Sequence, residues 1–318
     1  MILGYQASHE QFSPSELLRY SAMAETAGFD AVNSSDHFNP WSSEQGQSGY
    51  SFSWLGAAMA KSDLPFGVVC TPGYRNHPAI VAQAAATLSE MFPDRFWMSL
   101  GSGEALNERI TGEKFPVKGE RNERLKECYD IIKRLLAGET VTHFGRVTVE
   151  HAKLYTLPER PPLLLGAAVS EETAAWMGTW ADGLITVHRP PDELKAVVEA
   201  FRNNGGRGKP CYLKVQLSYA ASEEEALQGA WQQWRSNIFH STVLGELWQV
   251  EQFDELGKFV QPEELREMVR ISADPDQHIA WLKGDMELGF DAIILHNVNK
   301  QQELFIKDFG EKVLPALR

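Results

Sequence analysis

Eight short apolar runs, each followed by a longer polar or amphipathic stretch, constrain this chain more than any other feature. They are residues 2–7, 31–36, 65–70, 96–100, 162–168, 183–187, 212–220 and 291–296. Between them lie helical patterns such as 14–28, 78–92 and 121–138. Runs that alternate in this way with helical patterns read as parallel strands joined by crossover helices. Eight such units predict an α/β fold, a closed (β/α)8 TIM barrel rather than an open sheet. A phrase Gly-Phe-Asp-Ala, an apolar run and a histidine begins at Gly28 and again at Gly289, with a looser copy at 181–188. The spacing of the copies is not fixed, so they mark repeated βα units and not a solenoid.

Two segments exceed a minimal barrel. Residues 139–157 alternate β-branched side chains around Phe144 and Gly145, which predicts a hairpin. Residues 221–285 are too long for one crossover helix and carry Trp231, Trp234, Phe239 and Trp248, which predicts a helical insertion packed on one end of the barrel. No Pro-rich or Ser/Gly-rich linker divides the chain, so residues 1–318 read as one domain.

Composition narrows the partners. The net charge is −13 with no basic stripe, which argues against nucleic acid and anionic membranes. No apolar run reaches the roughly 18 residues a bilayer span needs, and the start MILGYQASHEQF has no signal-peptide pattern. Cys70, Cys128 and Cys211 form neither a metal spacing nor a disulfide framework, so a reducing cytoplasm is expected.

In such barrels, chemistry gathers at the C-terminal ends of the strands. Asp36 and His37 follow the second run, with Trp41 one short loop later. Histidine titrates near neutral pH and suits proton transfer; the bland alternative is a buried hydrogen-bonded pair. The fourth run is followed by Gly101-Ser102-Gly103-Glu104 and then Asn107. Glycines permit close approach to a flat ligand, and a desolvated Glu104 can serve as an acid; a plain strand-to-helix turn is the alternative. His188 and His296 end two further runs, but no HxH pair on the first strand supports a metal site, and none is expected. His9 reads as a surface loop residue. Ser170 reads as a helix N-cap whose preceding turn, Ala167-Ala168-Val169, offers backbone N–H groups to a phosphate, although Glu171 and Glu172 stand in the same first turn.

Four motifs, SDHFNPW (35–41), TPGYRNHPAIVAQAAATLSEMFPDR (71–95), LGSGEALNE (100–108) and ADGLITV (181–187), resemble the luciferase-like flavin superfamily. The branch most like this chain contains the deazaflavin (coenzyme F420)-dependent sugar-phosphate dehydrogenases, together with a sub-branch that uses ordinary flavin. The likeness runs from residue 3 to the C-terminus and is weaker over 221–285. It implies a luciferase-like barrel and roles at matching positions. His37 would move a proton near the substrate, Glu104 would be the acid partner and Trp41 would stabilise the reacting centre. Asp36 and Asn107 would meet the ring, a bulged and often cis peptide at Val68-Val69 would lie behind it, and the phosphate would rest on Ala167, Ala168 and Val169. A homodimer is implied as well. Leu247, Trp248 and Met268 stand where the sugar-phosphate enzymes carry phosphate-binding cations, which argues against a sugar phosphate.

The expected function is therefore a flavin-type oxidoreductase, by hydride transfer or by monooxygenation of a small organic substrate. The acidic charge and the sub-branch likeness favour FMN, with coenzyme F420 as the alternative. A non-catalytic flavin-binding protein and a metal-dependent barrel hydrolase are the competing readings.

Overall fold

The computed structural model describes residues 1–318, with Ser241 described by its backbone. The strands are β1 (Ile2–Ala7), β2 (Ala31–Ser35), β3 (Phe66–Cys70), β4 (Phe96–Leu100), β5 (Val141–Phe144), β6 (Thr148–Ala152), β7 (Leu163–Ala167), β8 (Gly183–Val187), β9 (Cys211–Ser218), β10 (Arg270–Ile271) and β11 (Ala292–Asn297). The helices are α1 (Pro14–Thr26), α2 (Ser51–Met59), α3 (Pro78–Met91), α4 (Ala105–Glu108), α5 (Lys118–Leu136), α6 (Glu171–Gly178) and α7 (Pro191–Phe201). They continue with α8 (Glu223–Trp234), α9 (Ser241–Leu244), α10 (Val250–Gly257), α11 (Pro275–Met286), α12 (Gln302–Asp308) and α13 (Leu314–Ala316).

Eight strands, β1, β2, β3, β4, β7, β8, β9 and β11, pair side by side in parallel, and the β11–β1 and β8–β9 pairings close the ring. Their outward residues join the helices in the main core, and their inward residues fill the barrel. The lower interior is packed by Trp97, Leu165, Ile185, Tyr212 and Ala292. Trp97 dictates a glycine on the neighbouring strand: a Cβ at Gly67 would stand 2.0 Å from the indole. Several helices start where the sequence supplies a capping side chain before a proline, as at Ser13-Pro14, His77-Pro78 and Asp274-Pro275.

The expected hairpin is present as antiparallel β5 and β6. The expected insertion is narrower than 221–285. Helix α11 is the ordinary crossover into β11, because its Leu282 belongs to the main core. What departs from the barrel is the stretch from α8 to β10, which has its own small core of Ala226, Ala230, Val260, Leu265 and Val269. Its α10 reaches the barrel mouth, where Phe253 packs edge-on against Trp41 at 5.4 Å.

Strand β3 also departs from expectation. Among the described residues no peptide bond is cis, and Val68 and Val69 stay in register with Met98 and Ser99 without a bulge.

Candidate active site

Loops after β1, β2, β3 and β4 converge at the C-terminal end of the barrel. Asn107 staples two of them: its Oδ1 accepts from the Phe38 and Asn39 amides at 2.9 and 3.2 Å. The Asn39 side chain returns a bond to the Leu106 carbonyl at 2.7 Å. Asp36, His37, Trp41, Glu104 and Asn107 are thereby brought together from two βα units. Asn107, expected at the ring, has its carbonyl oxygen committed to this staple, and its Nδ2 leans toward Glu104 at 3.5 Å.

His37 stands between Trp41, with ring centroids 5.2 Å apart, and Glu10, whose Oε1 lies 3.4 Å from Nδ1. Ser8 Oγ donates to the other Glu10 oxygen at 2.8 Å. Burial pushes the His37 pKa below its ordinary value, more than the neighbouring Glu10 carboxylate raises it. Burial alone would push Glu10 upward, but His37, a backbone amide, Lys214 and Ser8 together hold it below the usual carboxylate value. Glu104 is pushed the other way, up to about 8, by burial and then by the charge of Glu108.

A second set of charges lies beside the first. Arg75 pairs with Asp36 at 2.9 Å and with Glu108 at 3.4 Å. Asn76 donates to Asp36 Oδ2 at 2.8 Å, which leaves Oδ1 buried without a partner. Burial raises Glu108 to about 7 despite the pull of Arg75.

The expected cofactor residues divide. Val69 and Ala167 belong to the barrel-interior cluster, whereas the Val68 and Ala168 side chains lie in the outer core. The Ala168 N–H already donates to the Ile185 carbonyl at 3.1 Å, so it is not free for a phosphate; Val169 stands at the surface. Ser170 caps α6 as expected, accepting from the Thr173 amide.

Sequence reasoning missed several residues. His9 is not on the surface: it is fully buried, edge-on to Trp54 at 4.9 Å, and burial lowers its pKa to about 4. Glu10 was findable, since it lies in the short loop that follows the first apolar run, three residues after its end. Lys214 left a plainer trace, a charged residue in the middle of a buried strand.

Parallel barrel and strand-end loops together bring a half-buried imidazole and several carboxyl groups to one end of an α/β barrel. The model of the luciferase-like monooxygenase family matches residues 2–292, and the chain belongs to that family, an oxidoreductase family. It is 34% identical over 327 aligned positions to an F420-dependent glucose-6-phosphate dehydrogenase of Microbacterium testaceum (strain StLB037), covering 99% of this chain and 97% of that one. The enzyme of the same name from Nakamurella multipartita is 33% identical, with 99% and 96% covered. Among solved structures, an F420-dependent secondary alcohol dehydrogenase in complex with an F420-acetone adduct superposes with a TM-score of 0.91 at 27% identity, over 100% of this chain and 99% of that one. A coenzyme F420-dependent tetrahydromethanopterin reductase from Methanopyrus kandleri shares the fold, with a TM-score of 0.80 at 17% identity, over 100% and 99% of the two chains.

Proposed function

We propose that the protein is a deazaflavin-dependent dehydrogenase that moves a hydride between coenzyme F420 and the carbon of a small alcohol–carbonyl pair. The observation that carries this reading is the placement of two titratable groups at one barrel end in opposite states at neutral pH. His37 is held unprotonated beside Glu10, and Glu104 is held protonated beside Asn107. Environments that push neighbouring groups apart in this way assign a base and an acid.

The residues present fit a flat ring over β2, β3, β4 and β7. Val69, Ser99, Gly101 and Ala167 are all small, and a Cβ at Gly101 would meet nothing closer than 3.8 Å. Buried Asp36 Oδ1 and Ser99 Oγ have no partner and face this region as free polar contacts. When bound, the coenzyme supplies a ring carbon that accepts or returns hydride. His37 then takes the hydroxyl proton of the alcohol, and Glu10 stabilises the imidazolium that results. Glu104 has a proton to give at its carboxyl until the pH approaches 8. Trp41, Leu106 and Phe253 wall the site with apolar surface and exclude water.

The relatives move the choice of cofactor from FMN to the deazaflavin. Glucose 6-phosphate is not carried over with it, because Leu247, Trp248 and Met268 are apolar. A homodimer is proposed on the family likeness, with sedimentation equilibrium as its check. No helix among the described residues is long and apolar enough to cross a membrane. Equilibrium titration of the apo protein with coenzyme F420 and with FMN at physiological salt tests the cofactor. Deazaflavin should bind tighter by tenfold or more, about 1.4 kcal/mol; tighter FMN binding overturns the choice.

A further inference from the structure

Lys214 stands in the middle of β9 on the face that looks into the barrel, two residues from Tyr212 and two from Gln216. Register sets it beside Val187 of β8 and Ile294 of β11, and sets Gln216 beside His296 one step nearer the mouth. Among the described residues its ammonium has no hydrogen-bond acceptor and no ion-pair partner. Burial pushes its pKa down, and the carboxylates that oppose this are Glu10 and Glu104, which act from beyond ion-pair distance. The groups that in turn feel the ammonium are Glu10, His37, Glu104 and His296. It therefore faces the barrel interior one layer below Gln216 and His296, on the β9 side.

Lys214 is half-buried and meets no acceptor among the described residues, and a partly desolvated charge without a partner is one that an anionic ligand can complete. Glu10 does not fill the role, since neither of its oxygens comes within ion-pair distance of the ammonium. Lys214 and Glu10, the carboxylate 3.4 Å from His37, each feel the other's charge, so a small molecule held at His37 has the ammonium on its far side. Behind it, Trp41 and Phe253 offer an apolar wall.

We propose that Lys214 receives the carboxylate of the substrate, and that the substrate is a short 2-hydroxy acid or the matching 2-oxo acid. This rests on the dehydrogenase reading above. In oxidation, the carbinol C–H bond breaks and its electron pair leaves with the hydrogen as hydride to the coenzyme, while the O–H bond gives its proton to His37. The carbonyl forms, and Glu104 releases the second proton that the reduced coenzyme carries. The carboxylate stays bound to Lys214 throughout, and the alkyl end rests on Trp41 and Phe253.

Calorimetric titration with 2-hydroxybutanoate and with butan-2-ol compares the same carbinol with and without a carboxylate. Protein with and without coenzyme F420 should bind the acid about tenfold tighter or more. In Lys214→Met the preference should vanish, and in Lys214→Arg part of it should remain. Lys214→Gln repeats the test if the methionine variant does not give a cooperative melt. Equal or tighter binding of butan-2-ol by the wild type, binding of neither probe, or an unchanged preference in the variants overturns the assignment. The two proposals fail separately. Loss of coenzyme binding with the acid preference intact removes the dehydrogenase reading alone, and coenzyme binding without an acid preference removes the Lys214 assignment alone.

Discussion

Two sets of charges sit side by side at the same barrel mouth and differ in how they are balanced. Asp36, Arg75 and Glu108 form a closed set in which the guanidinium meets a carboxylate on each side. Glu10, His37, Glu104 and Lys214 form an open set, with one long approach at 3.4 Å and an ammonium that meets no carboxylate at ion-pair distance. The closed set ties the loops after β2, β3 and β4 together and so holds positions. The open set holds a carboxyl raised to about 8 and an ammonium without an acceptor. We propose that the closed set chiefly serves stability and the open set chemistry, and substitutions should separate them.

The largest expected effect is on rate, from the open set. His37→Ala should lower turnover on a verified substrate by about 10²–10⁴-fold, the usual range for a general acid–base group, while coenzyme affinity changes little. Unchanged turnover would remove His37 from the mechanism. The same set should show in the pH profile. Glu104 holds its proton up to about 8, so alcohol oxidation that draws on this proton should fall as pH rises through that value. Glu104→Gln should lose that alkaline limb, and a limb that persists would belong to another group.

Next comes the closed set. Arg75→Met leaves Asp36 and Glu108 buried without their cation and should cost about 3–5 kcal/mol of stability, as broken buried pairs do. Urea unfolding measures it, and a cost under about 1 kcal/mol, the level of a surface pair, would mean that the network is not closed. Asn107→Ala comes third. It removes the acceptor of the half-buried Phe38 and Asn39 amides, a loss of about 0.5–1.5 kcal/mol, the net worth of a typical hydrogen bond, because water can partly replace it. The smallest effect is expected at Lys214. Removing an unmatched charge should leave the melting temperature unchanged or raised, and a large fall would show that the ammonium has a structural partner after all.

Much of the barrel was legible because its signal is repeated and local. The runs at 2–7, 96–100 and 183–187 coincide with β1, β4 and β8 to the residue, since a strand buried on both faces has little choice but to be apolar throughout. The residues around His37 and Glu104 were legible from their place after strands and from the family likeness. What stayed hidden depends on which way a side chain turns after the strand ends. His9 and Glu10 are neighbours, yet one packs on Trp54 behind the loop and the other faces His37. No periodicity persists in a loop to tell them apart. The limits of the insertion were hidden for a related reason, because α11 looks like its helical neighbours in sequence and differs only in packing on the main core.

The ring is closed by its first and last strands, residues 2–5 against 292–295. On the ribosome this seam sets a waiting time. At about 5–20 residues per second, the first strand is exposed along one edge for tens of seconds before its second neighbour is made. An unpaired strand edge invites pairing with other chains. The candidate site is made long before the seam: Glu10, His37 and Glu104 lie in the first third of the chain, and Lys214 also precedes β11. A ribosome that stalls just before residue 292 leaves an open sheet with a bare β1 edge, although Glu10, His37, Glu104 and Lys214 have all been made.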